Sequence, residues 1–278
     1  MSLIWFGAAA VAVLLYGSAS VVQAYAARRA SGPAVLRHPA YLSGLTFDGL
    51  AFAAQAVAMR GLPIFTVQSI LSGSLAITML LGIAVLRLRP TRRDWFGVGL
   101  TTAGVAIVSV AGGPAELVDV PGALRVALAL GMVVTLLASV ALYRRGAMVA
   151  QALVAGLSFA LTALFMRMLT QLAAPGLAWL SLPELYLLGL SGLVGTVMYA
   201  RALEHGQVGT PTAVLWVIEV IVPGVIGLLA LGDTVRHGWQ LPTIAGVAAA
   251  VAGCVVLALS PTQEQVSAEP SATRPSVA

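Results

Sequence analysis

The sequence predicts an all-α, polytopic membrane protein of about nine transmembrane helices, arranged as two inverted four-helix repeats with one connecting helix between them. Three observations lead there. The chain of 278 residues is 59% hydrophobic and only 9% charged, with a mean hydropathy of +0.97, so it lacks the charged shell that a water-soluble chain of this size needs. Apolar runs of roughly 20 residues recur along it, the length that crosses a hydrocarbon core of about 30 Å at about 1.5 Å per residue. Glycines at the end of the first half recur, with the same spacing, at the end of the second.

The apolar runs predict helices at about 3–26, 41–60, 63–87, 95–112, 121–143, 147–171, 183–204, 210–232 and 239–260. In the first run Ala24-Tyr25-Ala26 resembles a leader cleavage site, but residues 1–6 carry no basic side chain and the run is longer than a leader's apolar region, so it reads as a retained membrane helix. RRASGPAVLRHP leads to the second run, RGLP to the third, and RLRPTRRD to the fourth. The fifth ends at YRRG, the seventh at EHGQVGTP, and DTVRHG separates the eighth from the ninth. These connections are short, polar and contain Gly or Pro, as turns between spans should be. Residues 261–278 have no apolar periodicity and are expected to form a disordered tail. The predicted units are therefore 1–112, 113–146 for the connector, 147–260, and the tail.

All fifteen basic residues are arginine, which points to a GC-rich bacterial genome. Arg28, Arg29, Arg37, Arg87, Arg89, Arg92, Arg93, Arg144, Arg145, Arg201 and Arg274 fall on one side of the predicted spans; Arg60, Arg125 and Arg236 fall on the other, and Arg167 lies inside the sixth helix. Positive loops stay inside, so this bias predicts a cell-membrane protein with its N-terminus outside and its C-terminus in the cytoplasm. Trp5, Tyr25, Tyr41, Trp95, Tyr143, Trp179 and Trp239 lie near helix ends, where interfacial aromatics belong. The charge of +5 is a topology signal rather than a nucleic-acid one. The lone Cys254, in an apolar run, predicts packing and no disulfide.

An offset of 149 residues places Gly7 on Gly156, Gly97 on Gly246 and Gly104 on Gly253, and brings Pro63 within one position of Pro211. Helices one to four then match six to nine. The unpaired fifth makes the second half start on the opposite side, so the repeats are inverted. That architecture belongs to transporters that expose a central site alternately to each side.

Candidate binding residues follow from the cost of polar groups in hydrocarbon. Glu219 lies near the middle of the eighth helix, where an ionised carboxylate must be paired, protonated or facing water. Pro223 cannot donate a helical bond to the carbonyl of residue 219, so one turn offers an acid and a freed carbonyl. The alternative is a simple proline kink with a neutral glutamate bonded to its neighbour. In the matching third helix Gln68, Ser69, Ser72, Gly73 and Ser74 form a polar, flexible stretch, with Gly73 as the expected break; close helix packing is the competing explanation for the small residues. Asp48 and Gln55, seven residues apart with Phe52 between them, share a face of the second helix. Arg167 is a candidate counter-ion or a snorkelling residue, and Tyr199 and Arg201 are either site residues or interfacial anchors. If a metal binds, Glu219 and Asp48 are its candidate ligands.

No His/Glu metal motif, nucleophile elbow or phosphate-binding loop is present in the sequence, so no enzyme and no cofactor is expected. LLYGSASVVQAYAAR, FDGLAFAAQAVAMRGLPIFTVQSILSGSLAITMLL, FGVGLTTAGVAIVSVAGGPAE, GLSFALTALFMRML and YARALEHGQVGTP resemble the drug/metabolite transporter superfamily, and more closely its NIPA-like magnesium transporter branch, over about residues 1–260. The resemblance implies nine helices with the N-terminus out, an acid at Asp48, a base at Arg167 and the closing run Arg201-Ala202-Leu203-Glu204. A Gln/Asn-rich stretch of that family reads Gly195-Thr196-Val197-Met198 here, so the resemblance implies transport without carrying magnesium specificity. The expected function is alternating-access transport of a small polar or cationic solute, with a divalent cation such as magnesium as one candidate. The expected partners are that solute or ion and the lipid bilayer, with no nucleic acid. Export of an amphipathic or lipid-linked metabolite, and a non-transporting scaffold subunit, are the alternatives.

Overall fold

The computed structural model describes residues 3–27, 29, 37–87, 89–113, 120–144, 147–171, 178–203 and 209–261. Among them run ten α-helices: α1 (Leu3–Ala27), α2 (Pro39–Ala58), α3 (Ile64–Ser72), α4 (Ser74–Leu86), α5 (Arg92–Ala111), α6 (Gly122–Leu142), α7 (Met148–Gln171), α8 (Pro183–Leu203), α9 (Gly209–Ala230) and α10 (Gln240–Ala258). With α3 and α4 taken as one span, eight segments among the described residues are long and apolar enough to cross a membrane. The ninth, α2, has 20 residues but is diluted by polar ones. Two of these, Ser43 and Thr46, donate to the Ala40 and Leu42 carbonyls of the same helix, at 2.8 and 3.0 Å, which satisfies them without water. The protein is thus an all-α polytopic membrane protein. The tail from 262 onward, with Glu204, His205 and several loop arginines, lies outside the described residues.

Helix starts are set by local chemistry that hydropathy alone does not weigh. α2 begins two residues before the expected position because Pro39 fits its first turn and the His38 imidazole accepts from the Ala40 N–H. α5 begins three residues early because Thr91 and Asp94 close a capping box, with the Asp94 carboxylate accepting from the Thr91 N–H at 2.5 Å and its hydroxyl at 2.8 Å. At Gly73 the chain stays right-handed (φ −64°, ψ −13°) and its N–H still bonds the Ile70 carbonyl. The expected break is therefore a single-residue irregularity. At Pro223 there is no interruption of this kind: α9 runs from Gly209 to Ala230 with the proline inside it, lacking only the N–H that proline cannot supply. The next residue, Gly224, explains why the pair sits there, since a Cβ on it would lie 3.2 Å from that of Phe65 in α3.

Lipid takes the place of water around this bundle. Leu130, Val134, Leu137 and Val140 of α6 are each at least 60% exposed, an outward apolar stripe that would aggregate in water. Inside, α1 packs along α2, α7 along α8, α5 along α10, and α9 against both α3 and α7. The α5–α10 seam is made of glycine. A Cβ at Gly97 would come within 3.2 Å of the Gly253 carbonyl oxygen, and one at Gly104 within 2.5 Å of the Gly246 oxygen and 2.8 Å of the Ala250 Cα. The two helices are antiparallel, and the glycines that match at an offset of 149 residues are crossed between them: Gly97 meets Gly253, and Gly104 meets Gly246. Gly7 and Gly156 do not share a role, because Gly7 faces open space while Gly156 packs against Leu215 and Ile218 of α9.

Candidate functional site

Six spans surround a cavity of about 770 Å³. Its lining starts mid-bundle, at Gln55 of α2, Leu71 of α3, Ala163 of α7 and Glu219 of α9, and reaches the end where α1 and α8 finish and α9 begins, at Ala24, Leu203 and Thr212. Its inner limit lies somewhat past the midpoints of α2, the α3–α4 span and α7, at Gln55, Leu71 and Ala163. The cavity therefore runs from the end of the bundle nearer the arginine-rich loops to a little past its middle.

Five of the sequence candidates meet there: Glu219, Asp48, Gln55, Tyr199 and, from the polar stretch of the third predicted helix, Ser74 all line it. Their partners differ. The Gln23 amide donates to Asp48 at 2.6 Å. The Tyr16 hydroxyl donates to the Gln55 side-chain oxygen at 3.0 Å. Tyr199 shares a hydrogen bond of 2.6 Å with Thr212, and Thr162 shares one of 2.9 Å with Ser191. Glu219 is the exception: among the described residues its carboxyl takes part in no hydrogen bond or ion pair. Both Tyr16 and Tyr199 lie within electrostatic reach of it, and Tyr16 is within reach of Asp48 as well. Five aromatic side chains, Tyr16, Phe52, Phe159, Tyr199 and Trp216, also line it, among aliphatic and hydroxyl-bearing residues.

Gln68 and Arg167 lie elsewhere. Gln68 is wholly buried in α3 on the far side of the cavity's floor, and neither atom of its amide has a partner; Ser69 and Thr66 hydroxyls beside it are also unpaired. Arg167, fully buried, forms the core of a polar cluster at the end opposite the cavity mouth. Its guanidinium pairs with Asp233 at 2.9 Å and donates to the Met59 carbonyl. The other Asp233 oxygen accepts from the Ile64 N–H at 2.5 Å, capping α3 from the far end of the chain. Gln171 donates to the Leu231 carbonyl at 3.2 Å, and the Gly113 N–H to that of Thr234 at 2.9 Å. Burial raises the Asp233 carboxyl above the ordinary carboxylate range, while the Arg167 guanidinium and the Ile64 N–H pull it down. Arg201 is an anchor: it lies over the Tyr143 ring, 4.8 Å from the centroid, and donates to the Tyr143 carbonyl.

Sequence reasoning missed Asp233, Tyr16, Gln23 and Trp216. A signal for Asp233 existed, since an arginine inside a span demands an acid and the chain has ten acids in all, one of them in DTVRHG. For a metal, the described residues bring no three His, Cys, Asp or Glu side chains together. Comparison of the chain with family models, with curated proteins and with solved structures finds no match.

Proposed function

We propose that this chain is a membrane transporter of the drug/metabolite type, which carries a small polar or cationic solute across the cell membrane by alternating access. One observation carries the reading: a cavity that runs from one end of the bundle to about its middle holds, near its inner limit, a carboxyl group with no partner among the described residues. An unpaired acid in a span is costly unless it faces water or a ligand, and a scaffold subunit would turn Asp48 and Glu219 toward a partner helix instead of toward a cavity. The arginine bias makes the open half cytoplasmic.

The opposite half supplies the second requirement of the cycle. There the Arg167–Asp233 pair ties together the end of α2, the start of α3, the end of α7 and the loop after α9, and acts as the outer closure. The crossed glycines of α5 and α10 support two inverted repeats, because a two-fold axis between equal halves makes each contact occur twice in reciprocal form. Two such halves can exchange conformations and reopen the site on the other side. The test is uptake in proteoliposomes by the wild-type protein and Glu219→Gln. Loss of at least tenfold is expected; unchanged uptake removes Glu219 from the mechanism.

A further inference from the structure

We infer that the cavity selects an organic monocation, a protonated amine with an apolar or aromatic body, whose ammonium group docks on Glu219. This deepens the transport reading and rests on it. The argument is one of free valences. On the α1–α2 wall the polar groups already answer one another: Gln23 donates to Asp48, and Tyr16 donates to Gln55. On the α9 wall they do not. Glu219 has no partner, and the Trp216 indole, three residues earlier and on the same helical face, makes no hydrogen bond among the described residues. A bound solute therefore finds one unanswered carboxyl group and, beside it, the face of the Trp216 ring, both on α9.

That set fits a single positive charge. A divalent ion keeps most of its water and is held through carboxylates and oxygen ligands, whereas here the second acid is engaged by an amide and five of the lining residues are aromatic. Aromatic faces cannot replace the hydration shell of a small ion, but they attract an ammonium through their quadrupole and bury a hydrocarbon body at the same time. The volume also suits an organic solute: about 770 Å³ lies within the range of roughly 300–1,000 Å³ typical of small-molecule sites.

The experiment is calorimetric titration of the purified wild-type protein with 2-phenylethylamine, with 2-phenylethanol as its uncharged counterpart, and with magnesium chloride, in detergent and without any gradient. The amine is expected to bind at least tenfold more tightly than the alcohol, and magnesium is expected not to displace it. Glu219→Gln should weaken the amine at least tenfold while leaving the alcohol within threefold, and Trp216→Leu should weaken the amine by threefold or more. Comparison of amine with alcohol needs no variant, so a misfolded Glu219→Gln does not spoil the test. Equal affinity for amine and alcohol, absence of amine binding, or displacement of the amine by equimolar magnesium would overturn the inference. If these occur while uptake of another solute still depends on Glu219, the monocation assignment fails and the transport reading stands; if the amine binds as expected but no solute is transported, the reverse holds.

Discussion

At the scale of single residues, the Arg167–Asp233 pair and Glu219 should respond oppositely to mutation. Arg167 and Asp233 are buried together, and removing one partner leaves the other charge stranded, at a cost of about 3–5 kcal/mol. Asp233→Ala should therefore lower the thermal midpoint in detergent sharply, and also leave the α3 N-terminus without its cap. Replacing both, as Arg167→Met with Asp233→Leu, should recover most of that loss, since an apolar pair of similar volume has no desolvation penalty. A single variant that loses less than about 1 kcal/mol would mean that water already reaches the pair. Glu219 has no partner to strand. Glu219→Gln should leave the thermal midpoint unchanged or higher while uptake is lost, so that stability and activity separate at this residue.

At the scale of helices, the α5–α10 seam is where small residues matter most. Gly104→Ala would set a Cβ against backbone of α10, where nothing flexible can give way, and overpacking of this kind costs about 1–3 kcal/mol. Gly99→Ala, on the same helix but facing open space, should be neutral or slightly stabilising, because alanine is the better helix former. The contrast is read by thermal unfolding of the two variants; equal effects would mean that the seam is looser than its geometry. The four glycines of this seam stood out in the sequence through the Gly97/Gly246 and Gly104/Gly253 matches, but that their helices meet, with the pairs crossed, came only from the fold. The spans were legible, since their apolar length is a direct physical requirement of the bilayer. Which face of each span looks inward was not. In lipid the outward face is as apolar as the core, so Tyr16 and Gln23 of α1 carry no pattern that sets them apart from Tyr25 or Ser18 on the same helix. Glu219 and Asp48 were legible because a charge in hydrocarbon is conspicuous wherever it points. Arg167 was conspicuous too, but its partner lies 66 residues away in a loop after another span, and only the fold joins them.

At the scale of the whole molecule, alternating access makes a prediction about both halves at once. The native Cys254 is fully buried, so engineered cysteines can be labelled against a quiet background. Thr196, exposed on the cavity wall, should react as Thr196→Cys with a membrane-impermeant maleimide in inside-out vesicles and not in right-side-out ones. Gln68 is the complementary probe. It sits in the closed half with an amide and neighbouring hydroxyls that find no partner, and a buried polar group left unmade costs about 1–3 kcal/mol. Such groups make sense in α3 if the opposite state gives them water or solute. Gln68→Cys should thus be unreactive from both sides while Arg167 and Asp233 are intact. In the Arg167→Met, Asp233→Leu background, where the outer closure has lost its charges but the fold is kept, it should become reactive from the outside, while labelling at Thr196→Cys from the inside declines. A Gln68→Cys that stays unreactive from the outside without the ion pair would show that the closed half does not open, and that the bundle is not a two-state machine.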